Sequence, residues 1–330
     1  MNTTKPIKVG VIGVGHLGQH HVKHFSTLPN TNLVGIFDAD SARCDEISKK
    51  YKTKNFGSLD KLLEPCDALS IVTPTPLHAE IAEKCILSGK HVFIEKPITK
   101  TLTEADRLLS LKQKNGTIIQ VGHIERLNPA LLALKDFELT PKFIEVQRLA
   151  PYTVRGTEVP VVLDLMIHDI DIILSLVNSP VKNIRASGVS IMTNSVDIAN
   201  ARIRFKNGTV ANLTSSRIAQ NKVRKLKFFQ RDMYVTIDFL LGLTEVYRAI
   251  NSDEKDPKAL VTAPLDQGGN HRAIAYEKPP VEKVDALRLE LSNFIDSIRG
   301  KAKPIVDGKA GRDALSVAAS IQKMIIEDVC

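Results

Sequence analysis

Tryptophan is absent from the 330 residues, and cysteine occurs only four times, at Cys44, Cys66, Cys85 and Cys330, with no Cys-x-x-Cys pair. Cysteines so dispersed form neither a zinc-ligand set nor a disulfide framework, so no metal is expected and a reducing, cytoplasmic setting fits. No run approaches the ~18–20 apolar residues of a membrane span, and no membrane partner is expected. Aromatic residues make up 5% of the chain, and no aromatic-basic platform for nucleic acid stands out. The net charge of +8 favours anionic ligands but is diluted over a long chain. Its densest cluster, Lys222 to Arg231, sets Lys225, Lys227 and Arg231 at strand spacing, which reads as a solvated sheet face.

What is present is ordinary in amount and informative in pattern. An apolar content of 43% and a charged content of 25% suit a globular protein, and the length allows two domains with cores of their own. Ile7 to Val14 reads as a first strand, not a signal peptide. It runs into Gly13-x-Gly15-x-x-Gly18, followed by an amphipathic segment from His20 to Leu28 and a second strand, Leu33 to Phe37, ending at Asp38. In a strand–turn–helix of this kind the first glycine makes the tight turn. The second admits a pyrophosphate, and the third lets helix and strand pack closely. An acid about 20 residues past the glycines is the expected ribose ligand, and its charge repels a 2′-phosphate. Arg43 lies inside the next helix and reads as solvated, so NAD is expected over NADP.

The alternation continues with a strand from Asp67 to Val72, the turn Thr73-Pro-Thr-Pro-Leu-His78 and a helix to about Leu87. Then come the strand His91-Val-Phe-Ile-Glu-Lys-Pro97, a helix from Thr103 to Lys114 capped by Thr103 with Asp106, and a strand from Thr117 to Val121. Strands alternating with helices mean a parallel, doubly wound sheet, with ligands beyond the carboxyl ends of its strands. Glu95 and Lys96 fall at such an end, and Pro97 stops the strand. Alone, Glu-Lys-Pro also reads as a loop salt bridge with a turn proline.

After His123 the texture changes. A strand from Lys142 to Leu149, an irregular segment from Pro151 to Glu158 and short strands from Val181 to about Arg248 imply an antiparallel sheet, with a hairpin at Asn207-Gly208. The helix expected over Val162–Val177 is apolar nearly all round, which means burial. Asp164, His168 and Asp171 follow one another at i, i+4 and i+7 along it. His168 one turn from Asp164 suits a proton carrier, and the three residues equally suit a satisfied structural network. Residues 251–280 read as a polar excursion, and two helices, about Val284 to Arg299 and Asp313 to Glu327, close the chain.

The glycine loop, Thr73-Pro74 with His78, Glu95-Lys96-Pro97, and Asp164-x-x-x-His168 with Asp171 occur in this order and spacing, and together resemble the Gfo/Idh/MocA oxidoreductase family over essentially the full length. The resemblance implies an α/β protein. Its Rossmann domain would cover residues 1–123. Residues 124–330 would form a C-terminal α/β domain with a large open, mainly antiparallel sheet, whose last helix, about 307–327, returns towards the first domain. It implies NAD bound by Gly13, Gly15, His16, Leu17, Gly18, Asp38, Thr73, Pro74, His78, Glu95 and Lys96. Substrate would be met by Lys96, Arg126, Asn128, Arg155, Asp164 and His168. Lys96 would polarise the reacting hydroxyl, His168 would act as acid/base and Asp164 would support both. Assembly would be a homodimer or homotetramer through the open sheet. The segments His123–Pro129 and Tyr152–Thr157, leading into Val162–Asp171, are similar to those of family members that oxidise a nucleotide sugar and pass the ketone to an aminotransferase. A dehydrogenase of a free polyol such as inositol, and a nicotinamide-binding regulator without chemistry, are the alternatives. For a diphosphate, Arg126, Arg148 and Arg155 are the candidate cations. Equally, Arg126 can pair with Glu125 or Asp171, and Arg155 can be a solvated loop residue.

Overall fold

The apolar run at the start of the chain becomes β1 (Ile7–Ile12), a central strand of a six-stranded parallel sheet. The structure, a computed structural model, describes residues 5–153, 159–254, 256–267 and 270–329. After β1 follow α1 (Gly18–Phe25), β2 (Thr31–Phe37), α2 (Ser41–Tyr51), β3 (Lys54–Asn55), α3 (Leu59–Leu63), β4 (Ala68–Ile71), α4 (His78–Leu87), β5 (His91–Glu95), α5 (Leu102–Asn115) and β6 (Ile119–Gly122). The strand order is β3-β2-β1-β4-β5-β6. Order therefore reverses between β1 and β4, which opens a crevice at their carboxyl ends. Val9, Val11, Ala68, Leu69, Val92, Phe93 and Ile94 are all fully buried, as strands covered on both faces require. The cap of α5 differs from expectation. Thr101 accepts from the Glu104 N–H and Glu104 returns the bond to the Thr101 N–H, a reciprocal pair that begins the helix two residues earlier. Asp106 instead binds Arg312 at 2.8 Å.

Among the described residues the second sheet has nine strands. After α6 (Pro129–Leu132) and β7 (Phe143–Leu149), a π-helical turn over Val162–Met166 leads into α7 (Ile167–Val177). Then come β8 (Val181–Val189), β9 (Ile198–Phe205), β10 (Val210–Ser216), β11 (Val223–Gln230), β12 (Met233–Asp238), β13 (Leu243–Asn251), β14 (Val261–Gln267) and β15 (Asn270–Glu277). Their order is β14-β15-β13-β12-β11-β7-β10-β9-β8, antiparallel except for the parallel pair β7–β10. Ile144, Val146, Leu226, Phe228, Val235, Ile237 and Val246 alternate inward, and α7 packs against β7. The other face carries a file of aromatic rings in direct cross-strand register: Phe143, Phe229, Tyr234, Tyr247 and Tyr276. Successive ring centroids are 6.1, 4.5, 5.5 and 4.9 Å apart.

Two expectations about this half are corrected. The polar excursion at 251–280 contains the β14–β15 hairpin, which adds two strands to the sheet beside β13. Its inward positions are small, Ala273 and Ala275, so the period-two signal is faint, and Pro264 is tolerated because β14 is an edge strand. The helix over 162–177 is not uniform, because its first turn is π-helical.

Two helices complete the chain, α8 (Ala286–Ile298) and α9 (Gly308–Val329). The chain divides into one unit of residues 1–124 with 285–316 and another of 125–284 with 317–330. Residues 285–316, placed by sequence in the second domain, thus belong with the first unit. Phe294 of α8 meets Phe93 edge-on at 5.9 Å, and Gln120 donates to the Glu290 carbonyl at 2.9 Å. Among the described residues, no helix is long and apolar enough to cross a membrane.

Candidate active site

In the first unit the glycine loop is shaped by close approach. Gly13 has φ +84°, and a Cβ on Gly18 would fall 1.9 Å from the Gly13 carbonyl oxygen. The crest, Gly15, His16 and Leu17, is exposed, and nothing stands within 4 Å of where a Gly15 Cβ would be. Backbone N–H groups at the start of α1 and this open crest fit the pyrophosphate of a dinucleotide. Asp38 ends β2 as expected, and its carboxylate ties the loop down: Oδ2 accepts from the Val14 N–H at 2.6 Å and Oδ1 from the Asp40 N–H at 2.9 Å. Arg43, expected in solvent, is only 26% exposed. Its Nε donates to the Val14 carbonyl at 3.2 Å and its Nη1 to Glu46 at 2.6 Å. Helix α2 begins at Ser41 on an Asp40 cap, which places Arg43 in its first turn.

His78 is 1% exposed and does not stand open to a cofactor. Its ring nitrogens face the Thr73 carbonyl at 2.8 Å and the Pro97 carbonyl at 2.9 Å. Both partners only accept, so a neutral ring bonds one of them and an imidazolium bonds both. The residue thereby fastens the Thr73-Pro74 turn to the Glu-Lys-Pro turn. Glu95 is likewise drawn inward: Oε1 faces His21 Nε2 at 3.2 Å, and Oε2 accepts from the Lys96 N–H at 3.2 Å. Behind it, His21 Nδ1 lies 2.9 Å from Ser70 Oγ. Burial pushes the Glu95 carboxyl upward, but the His21 hydrogen bond and the neighbouring charges outweigh it and hold it below the ordinary glutamate value. Lys96 itself is half-buried. Sequence reasoning missed His21 and Ser70; the only signal was a histidine three residues past Gly18.

In the second unit, Asp164 lies in the π-helical turn and His168 in the first turn of α7, both half-buried. Asp171, expected on their stripe, is 1% exposed and binds Arg126 through two bonds of 2.7 Å. Arg126 is therefore neutralised inside the unit, which removes the net charge that a diphosphate contact would use. Asn128 is also engaged: it caps α6 by accepting from the Ala130 N–H at 3.1 Å and donates to Glu125 at 3.1 Å. Arg148, a second diphosphate candidate, is 3% exposed. It makes bonds of 2.9 and 2.8 Å to Asp169 and one of 3.1 Å to Glu125. Asp169 was missed by sequence reasoning. Arg155 lies outside the described residues.

A doubly wound parallel sheet with an open glycine crest and an acid at the end of β2 defines a dinucleotide-binding protein, here joined to a broad second sheet. Residues 7–123 match an oxidoreductase family with an NAD-binding Rossmann fold, and residues 151–233 match the GFO/IDH/MocA C-terminal domain. The chain is 35% identical over 317 residues to the UDP-N-acetylglucosamine 3-dehydrogenase of Acidithiobacillus ferrooxidans, covering 96% of each. The structure of that enzyme superposes with a TM-score of 0.86 at 34% identity, over 97% of this chain and 98% of the other. The myo-inositol 2-dehydrogenase of Thermotoga maritima is 24% identical, with 97% of each chain covered. This chain belongs to the Gfo/Idh/MocA family of NAD-binding oxidoreductases.

Two outcomes follow from these geometries. Asp38→Ser should narrow the preference for NAD over NADP, and adding Arg43→Ala should undo part of that gain by removing the nearby cation. Fluorescence titration with NADH and NADPH measures both, and a wild type that binds NADPH more tightly would refute this role for Asp38. Arg148→Met strands two buried acids and should destabilise the second unit by about 3–5 kcal/mol. Adding Asp169→Leu should recover part of the loss in urea denaturation.

Proposed function

We propose that the protein oxidises the 3-hydroxyl of UDP-N-acetylglucosamine with NAD, yielding the 3-keto nucleotide sugar. The observation that carries this reading is the full-length similarity to the Acidithiobacillus ferrooxidans enzyme, in a chain that holds Lys96, Asp164 and His168. Oxidation of an alcohol separates a hydride from carbon and a proton from oxygen. Bound NAD supplies the hydride acceptor, and the chain must steady the oxygen and take the proton. The Lys96 ammonium donates to the reacting hydroxyl and stabilises the negative charge that develops on its oxygen. The neutral imidazole of His168 accepts the hydroxyl proton as general base. Asp164 supports both groups. Gly13, Gly15, His16, Leu17 and Gly18 hold the pyrophosphate, Asp38 the ribose, and Thr73 and Pro74 border the nicotinamide end.

The ketone is what an aminotransferase needs as amino acceptor, so an aminotransferase of diamino-sugar lipid A synthesis is the partner downstream, in the cytoplasm. A second copy of the chain is the partner on the open sheet, where a file of five aromatic rings crosses five strands. Tyr234→Lys with Tyr247→Lys should shift the sedimenting mass towards that of a monomer. An unchanged oligomer would exclude this face.

Lys96→Met and His168→Ala should each lower kcat by a factor on the order of 10² or more while NADH binding is kept. Near-normal turnover in either variant would refute its role. Purified protein given UDP-N-acetylglucosamine and NAD should form NADH and a ketone trapped by transamination or borodeuteride. Turnover of an uncharged polyol with none on any UDP-sugar would move the assignment to a polyol dehydrogenase, and nicotinamide binding without any turnover would indicate a regulator.

A further inference from the structure

We propose that His21 is a positioning residue for the reaction: wedged between Ser70 and Glu95, its ring fixes the carboxylate that binds the backbone of Lys96. The inference rests on the role proposed for Lys96. His21 is 1% exposed and Ser70 fully buried. The ring meets Phe93 edge-on at 5.4 Å, and Phe93 is backed by Phe294. An ionised carboxylate can only accept, so the Nε2 nitrogen, 3.2 Å from Glu95, carries the hydrogen. Nδ1 lies 2.9 Å from the Ser70 hydroxyl, which donates to it in the neutral ring and accepts from it in the imidazolium. In either form Nε2 donates to Glu95 while Ser70 holds the other side of the ring.

Two further observations show that the space is built for this carboxylate. On β6, the strand beside β5, a Cβ on Gly122 would lie 2.8 to 2.9 Å from the Glu95 carboxyl atoms. Any side chain there would displace them. Helix α1 starts at Gly18 of the nucleotide loop and reaches His21 within its first turn. One ring therefore links the cofactor loop to the turn bearing the reactive lysine. The titratable groups facing Glu95 are His21 and Lys96. Those near His21 on its own helix include His24, which lies 3.5 Å from Asp285 and also feels Lys23 and Arg288.

A ring that served packing alone would affect stability and leave the chemistry as it is. The test uses the full chain with His21→Asn, His21→Gln and Gly122→Ala. Glutamine places an amide N–H near the position of Nε2, whereas asparagine reaches only that of Nδ1. His21→Asn and Gly122→Ala should lower kcat on UDP-N-acetylglucosamine at least about tenfold, with the Kd for NADH within about twofold, and His21→Gln should stay within about threefold of wild type. Burial unopposed by the ring raises the Glu95 pKa from its lowered wild-type value. Activity that depends on ionised Glu95 is then lost at a higher pH, and the acid limb of kcat/KM moves upward in the asparagine variant. Unchanged kcat and an unchanged acid limb in His21→Asn, with only a lower Tm, would overturn the proposal. If wild type turns over no UDP-sugar, the substrate reading fails, and the Glu95 carboxyl 13C titration, assigned with Glu95→Gln, still decides the point. A midpoint raised in His21→Asn supports the positioning role, and an identical one overturns it. Should His21→Asn not fold, the Gly122→Ala titration is read in the same way.

Discussion

A guanidinium on the covered face of a sheet is the constraint from which the second unit follows. Alternation along β7 puts Arg148 on the same side as Ile144 and Val146. Removing a charge from water costs far more than one hydrogen bond returns, so the position is tenable only with acids beside it. Asp169 supplies a bidentate partner from α7 and Glu125 a second from the turn before α6. The pair Arg148–Asp169 sets how α7 is rotated on the sheet. With Asp169 turned inward, His168 lies about 100° around the helix and is left half-buried. Arg126 with Asp171 secures the same helix two residues further on.

The first unit obeys the same logic at the ends of its parallel strands. A strand end leaves backbone groups without ladder partners, and buried polar side chains meet them. His78 reaches two carbonyls, Asp38 accepts from two N–H groups, and Glu95 accepts from the Lys96 N–H. These three side chains hold backbone in place. Lys96 here, and Asp164 and His168 in the second unit, are half-buried. Backbone fixed in this way has little reorganisation left to undergo when charge develops beside it.

Much of this could be read from the chain, and the failures have physical causes. The glycine loop, the acid after β2 and the parallel strands follow from local periodicity and turn chemistry, and so does the Asn207-Gly208 hairpin. The alternation of β7 holds a sign that was passed over, since an arginine at an inward position demands an acid, and which acid is a tertiary fact. The π-helical turn at Val162–Met166 has no local signature, and reading Asp164 and His168 as an α-helical i, i+4 pair assumed the commoner winding. The Thr101 cap was displaced by the similar pattern at Thr103 and Asp106. The β14–β15 hairpin was hidden because its inward residues are alanines. His21 was invisible as a site residue because its partners are 49 and 74 positions away.

The fate of the arginines bears on how charge should be read in such a chain. A net charge of +8 suggests a surplus of cations for an anionic ligand, and sequence proximity singled out Arg126, Arg148 and Arg155. Arg126 and Arg148 are each matched by a buried aspartate, which offsets much of the charge either would offer an anion. What binds a phosphate is a cation or N–H group whose charge has not been cancelled within its own unit. Net charge sums over all ionised groups without regard to pairing, so it overstates the cations available to a diphosphate. The open N–H groups at the crest of the glycine loop contribute nothing to that sum, yet they are the anion-binding feature the fold displays most plainly.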